Sequence, residues 1–174
     1  MPKVIDGLKS SIIQSARKRL FSAPPSFSLR AVAKDCGIAV GTIYNYFPDK
    51  ETLIASVFAE DWAVIIAETE ADISRSESME EGIRAVYSGL VRFTQSHETV
   101  WKTFGISSGI GTYYRKGHKM LTEQIERLLK TLFSRFGQTA DAAMLTLMAE
   151  LLISASQHAE FSEEEIMRVL IRFL

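Results

Sequence analysis

Apolar residues recur along this chain at helical spacing almost from end to end, and no stretch shows the period of two that marks a strand. Leu8, Ile12, Ala16 and Leu20 follow one another in steps of four and predict a first helix over about 3–21, ended by Pro24-Pro25. Leu29, Val32, Ala33 and Cys36 fall at i, i+3, i+4 and i+7 of a second, shorter helix, whose Arg30, Lys34 and Asp35 stay in water. Gly37 permits the left-handed backbone that turns the chain, and a third helix covers about Val40 to Phe47. A fourth starts at Pro48-Asp49 with Asp49 as its N-cap and carries Leu53, Val57, Trp62 and Ile66 to about Ser74.

The same reading continues to the end of the chain. Ser78-Met-Glu-Glu81 is a capping box opening a helix with Ile83, Val86, Tyr87, Leu90 and Phe93, to about Ser96. A short helix over His97 to Phe104 follows, then the Gly/Ser passage Gly105 to Gly111. Next comes a helix from about Tyr113 to Phe136 with Leu121, Ile125, Leu128, Leu129 and Leu132 on one side, stopped by Gly137. Two more helices, about 139–159 and from Glu163 to the end, complete an all-α chain of about nine helices, the last opened by the box Ser162 to Glu165. No internal repeat is visible.

The third helix can be oriented from its angles. At roughly 100° per residue, Ile43 and Phe47 lie within about 40° of each other and define the buried side. Gly41, Thr42 and Asn45 then face outward, flanked by Tyr44 and Tyr46. A solvated helix face normally carries Lys and Glu; this one is small, polar and aromatic, as a surface that lies against another molecule would be. In a DNA major groove Asn bonds adenine bidentately, Thr reaches base or phosphate, Tyr hydroxyls suit phosphate oxygens, and Gly41 lets the backbone come close. Val40, at the helix start, is within reach of a thymine methyl. The competing reading is a packed helix in an ordinary bundle, with Tyr44 and Tyr46 as half-buried core.

Ala33, Gly37, Ile38, Gly41, Thr42, Ile43, Tyr44, Tyr46, Phe47, Lys50, Glu51 and Leu53 together resemble the amino-terminal signature of the TetR family of transcriptional regulators. The resemblance covers about the first third of the chain. It implies a three-helix helix-turn-helix head over residues 1–50, a ligand-binding and dimerisation domain over 51–174, and a fourth helix, 50–74, joining them. Its implied DNA-binding residues are Gly41, Thr42, Tyr44, Asn45, Tyr46 and Lys50, with Val40 at the margin; Lys50 would meet a phosphate where the helix terminus already favours an anion. Three positions depart from the pattern. Ala39 stands where Ser or Thr usually caps the recognition helix, Cys36 replaces a commoner Ala, and Ser22 to Phe27 is shorter than the usual link.

Charge agrees with a DNA-reading head. Residues 1–50 hold eight Lys or Arg against three Asp, a balance of +5, whereas residues 51–174 hold twelve against eighteen, a balance of −6. The cluster Arg17-Lys18-Arg19 abuts the motif. With 174 residues, 47% of them hydrophobic, the chain can bury a sizeable core. One cysteine excludes an intrachain disulfide, no Cys or His spacing suits zinc, and no cofactor is called for. No signal peptide is evident, and the most apolar stretch, Ala142 to Ala155, is shorter than the about 20 residues a bilayer needs, so a soluble protein of a reducing cytoplasm is expected.

The last two helices are apolar over more than one face. Leu147, Met148, Leu151 and Leu152 on one, with Val169, Leu170 and Phe173 on the other, are either central to the core or face a second copy. The resemblance favours a homodimer, whose dyad would read both halves of a palindromic operator. Trp62, Phe93, Trp101, Phe104, Tyr113 and Tyr114 either line a cavity for a small, mostly apolar effector, as the resemblance implies, or fill the core.

Catalytic signals fail on context. Gly105-Ile-Ser-Ser-Gly109 has the spacing of a nucleophile elbow but no strand precedes it, and Gly109-Ile-Gly111 lacks the third glycine of a dinucleotide fingerprint. His97, His118 and His158 are singletons. The expectation is therefore a ligand-responsive regulator, most simply a repressor, and not an enzyme; the competing class is a helical ligand-binding or enzymatic protein whose DNA binding has decayed.

Overall fold

The computed structural model describes residues 7–104, 111–157, 160 and 162–173, with side chains for all of these except 111–116 and 173. Among the described residues there is no strand. Eight α-helices follow one another: α1 (Leu8–Ser22), α2 (Leu29–Asp35), α3 (Val40–Tyr44), α4 (Lys50–Arg75), α5 (Met79–Phe104), α6 (Gly111–Arg135), α7 (Ala142–Gln157) and α8 (Glu163–Leu170). Short 3-10 turns lie at Pro24–Ser26 and Ile171–Phe173.

The all-α expectation holds, with eight α-helices among the described residues where the pattern gave about nine. The expected break near Ser96-His97 does not occur, and α5 runs through it. No glycine or proline lies between Gly89 and Gly105 to stop it. The Ser96 hydroxyl donates back to the Phe93 carbonyl at 3.0 Å, and His97 Nδ1 sits 2.8 Å from the same oxygen, so both polar side chains are satisfied along the helix itself.

The other boundaries have visible chemistry. Ser28 accepts the Ala31 N–H at 3.2 Å to start α2. Asp49 accepts the Thr52 N–H and hydroxyl, each at 2.6 Å, to start α4. Ser78 accepts the Glu81 N–H, while the Glu81 carboxylate accepts from Glu77 rather than from Ser78. Ser162 and Glu165 form the complete reciprocal box expected before α8. Gly37 (φ 65°) and Gly137 (φ 69°) end α2 and α6 in the left-handed region. At each, the following residue donates back across the turn, Ile38 to the Ala33 carbonyl and Gln138 to that of Phe133.

The chain divides into two compact units, one of Met1–Trp62 with Glu98–Gly109, the other of Ala63–His97 with Ile110–Leu174. Both α4 and α5 are thus shared between them by chain continuity. The first unit has its own core, in which Ile12, Ala16 and Leu20 of α1, Val32 of α2, Ile43, Phe47, Leu53 and Val57 are joined by Val100 from the end of α5. In the second unit Ile83, Leu90, Ile125, Leu129, Leu132, Met148 and Leu152 are buried. Gly82 is required there by close approach: a Cβ at that position would lie 2.1 Å from Leu132 Cδ1. The Arg84 guanidinium gathers Glu80, Glu163 and Glu164 at 2.8–3.1 Å, fastening α8 to α5. Their hydrogen bonds, that of Glu164 foremost, push Arg84 above its ordinary pKa and hold Glu164 below the usual carboxylate range.

Candidate nucleic-acid interface

The helix-turn-helix is assembled on the first unit's core. Ile43 and Phe47 are 0% and 1% exposed, the buried pair that the helical angles select. After α3 the backbone tightens, with Asn45, Tyr46 and Phe47 N–H groups donating to the Thr42 and Ile43 carbonyls, so the turn carries on to Phe47. Outward lie Gly41, Tyr44 (52% exposed) and Asn45, with Thr42 half-buried at the edge. A Cβ built on Gly41 meets nothing within 4 Å, so the face is open at that point. Val40 and Tyr46 are partly buried and pack against the core. Ala39 occupies the N-cap of α3 in extended conformation and supplies no side-chain cap, as its identity requires.

The basic residues sort into two groups that the sequence did not distinguish. Arg17 is bound to Asp61 at 2.7 Å and to Glu60 at 3.0 Å, tying α1 to α4. Arg19 takes Asp35 in a two-pronged pair, tying α1 to α2. These arginines hold the head together, whereas Lys18, Arg30 and Lys34 are exposed. Lys50, half-buried as the first residue of α4, has its Nζ 4.8 Å from the centre of the Phe104 ring. No local pattern announces pairings between residues this far apart in sequence.

The amino-terminal segment matches the family model described as "Bacterial regulatory proteins, tetR family" over residues 12–57. Residues 12–57 are thus a TetR-family segment. Two curated relatives match over a third of the chain: the fatty acid metabolism regulator protein of Bacillus subtilis (strain 168), 39% identical over 57 residues, and the HTH-type transcriptional repressor KstR of Rhodococcus jostii (strain RHA1), 35% identical over 66 residues. Each match takes in 33% of this chain and only 29% and 31% of the relative's own length. The fold extends further. The crystal structure of RolR in complex with resorcinol superposes with a TM-score of 0.71 at 19% identity, covering 97% of this chain and 88% of that one. The regulator FadR from Bacillus subtilis in complex with stearoyl-CoA gives 0.58 at 16% identity, covering 94% of each.

The described aromatic side chains singled out from sequence fall in both units. Trp101 meets Phe58 edge-on at 6.2 Å, and Phe104 meets Phe27 edge-on at 6.0 Å, all within the head's unit. Trp62 closes that unit's α4 segment half-buried, whereas Phe93 belongs to the second unit, its ring 4.4 Å from that of His97. The side chains of Tyr113 and Tyr114 lie outside the described residues, as do His158 and residues 105–110 of the Gly/Ser passage.

Among the residues singled out for self-association, Met148, Leu152 and Leu170 are buried inside the protomer and present no surface to a second copy. Leu151 is half-buried, and the side chain of Phe173 lies outside the described residues. Apolar surface on α7 and the carboxyl end comes instead from Leu147 (68% exposed), Val169 (47%) and Ile171 (39%), the last not singled out from sequence. His97 is buried, and His118 Nε2 meets Glu150 at 2.9 Å, with Thr122 donating to the other carboxylate oxygen at 2.8 Å. Among the described residues no three His, Cys, Asp or Glu side chains converge to hold a metal, and no helix is long and apolar enough to cross a membrane.

Proposed function

We propose that this chain is a transcriptional regulator that reads a palindromic operator as a homodimer, acts as a repressor, and is released by a small, mostly apolar molecule. One observation carries the reading: an uncharged helix face of Gly41, Tyr44 and Asn45 stands open on a head whose opposite side is closed by Ile43 and Phe47. Asn45 reads a base, Thr42 and the two tyrosines contact base edges or phosphate, and Lys50 takes a phosphate at the start of α4. The apolar side chains Leu147, Val169 and Ile171 supply the dimer contact, since one such short helix touches too few base pairs for selectivity.

The effector's chemical class is supported by the aromatic content of the chain and by neighbours of the same fold seen with resorcinol and with stearoyl-CoA. Release requires that the effector favour one arrangement of the protein over another, by about 5.5 kcal/mol for a shift from 1:99 to 99:1. Helices α4 and α5 each continue from the head into the second unit and are the covalent route for that coupling.

The missing side-chain cap at Ala39 supports the competing reading, a helical ligand-binding or enzymatic protein with decayed DNA binding. Selection from random duplexes at modest salt separates the two. Recovery of a palindrome supports the regulator; recovery of no sequence preference overturns it.

A further inference from the structure

We infer that Phe104 is a positioning residue for DNA binding, its ring holding the Lys50 ammonium where a backbone phosphate arrives; this rests on the regulator reading above. Lys50 Nζ lies 4.8 Å from the Phe104 ring centre, inside the range at which a ring face attracts a cation. The ring is itself fixed. It packs on the head's core and stands at 80° to Phe27, whose own side chain is buried immediately before Ser28, the N-cap of α2. Val100, one turn earlier on α5, is 1% exposed in the same core and anchors the helix that presents the ring.

The consequence for binding follows from the lysine side chain. A free lysine ammonium samples many rotamers and must surrender them to bind one phosphate oxygen. Resting on a ring face removes much of that freedom beforehand, and an ammonium with three donors still has hydrogens pointing away from the ring. Asp49, capping α4 through Thr52, fixes the backbone from which Lys50 departs. The ring and the cap therefore bring one positive charge to a defined place at the amino end of α4, although the ring residue lies at the far end of α5.

The test is a double-mutant cycle on the full chain, read as affinity for a fluorescently labelled random-sequence duplex at low salt. Phe104→Leu keeps apolar volume but loses the ring face, and it is expected to weaken binding about 2- to 10-fold in the presence of Lys50 and to change nothing in a Lys50→Ala background. Phe104→Tyr, which keeps the ring, is expected to bind as wild type. On free protein, the Lys50 side-chain proton resonances are expected to lose their ring-current shift in Phe104→Leu. An equal loss with and without Lys50 means that Phe104 acts through packing alone and overturns the inference, as does an unchanged affinity. Should wild type bind no duplex at all, the regulator reading falls and the inference falls with it, a result distinct from either of these.

Discussion

Arg19 and Asp35 form a two-pronged ion pair between α1 and α2, with Nη2 at 2.7 Å from Oδ1 and Nε on Oδ2, while the Ser15 hydroxyl donates to the same carboxylate. The Arg19 hydrogen bond holds the Asp35 carboxyl below the ordinary aspartate value of 3.8. A carboxyl whose pKa is lower in the folded than in the unfolded protein stabilises the fold above the unfolded value, and that contribution is lost as pH falls through the folded one. Asp35→Asn is therefore expected to melt below wild type near pH 7, with the difference closing as pH falls from about 4 towards 2. Thermal melts across that range check it; a difference that does not change with pH would assign the pair no such part.

Two glycines should respond oppositely to the same substitution. At Gly41 an added methyl meets open space and the φ angle is ordinary, so Gly41→Ala is expected to leave stability unchanged or raise it by up to about 1 kcal/mol while weakening DNA binding. At Gly82 the methyl would meet the side chain of Leu132, which is fully buried and would have to shift. Gly82→Ala is expected to cost about 1–3 kcal/mol, read from denaturant midpoints. If Gly41→Ala binds duplex as wild type does, the outward face of α3 is not the docking surface.

The two candidate DNA contacts of different kind can be told apart by salt and sequence. Asn45→Ala is expected to cost about 1–3 kcal/mol on the selected operator and to relax preference at one base pair. Lys50→Ala should weaken all sequences alike and reduce the salt slope by about one unit. An Asn45→Ala variant with unchanged base preference would remove that residue from base reading.

The exposed leucine of α7 gives a cleaner dimer test than any buried neighbour. Leu147 is 68% exposed in the protomer, so Leu147→Arg is expected to leave the fold within about 0.5 kcal/mol of wild type while yielding monomers. Sedimentation at micromolar concentration reads the outcome, and a monomeric wild type would sink the dimer and the palindrome together.

What the sequence made legible was local. The turn at Gly37, the caps at Ser78 and Ser162 and the start of α4 at Asp49 depend on hydrogen bonds within a few residues, and all four appear where the pattern puts them. The burial of Ile43 and Phe47 follows from helical angle alone. What escaped was set by distant partners. The Gly/Ser passage after Phe104 suggested a separate short helix, yet nothing in Phe93 to Phe104 breaks an α-helix. Arg17 and Arg19 read as part of a basic cluster until Asp61 and Asp35 were found against them, and the ring partners of Trp101 and Phe104, Phe58 and Phe27, lie too far off in sequence to be read from it.

That Val100 and Phe104 complete the head's core has a bearing on how the chain is made. Synthesis runs at about 5–20 residues per second, so several seconds separate the emergence of Trp62 from that of Phe104. Throughout that interval α1 to α4 are available but the hydrophobic cluster around Leu53 and Val57 lacks its last members. A nascent chain in this state leaves apolar side chains of that cluster open to a chaperone until Val100 and Phe104 arrive to cover them. A message cut short before residue 98 yields a fragment whose core around Leu53 and Val57 lacks Val100 and Phe104 for good.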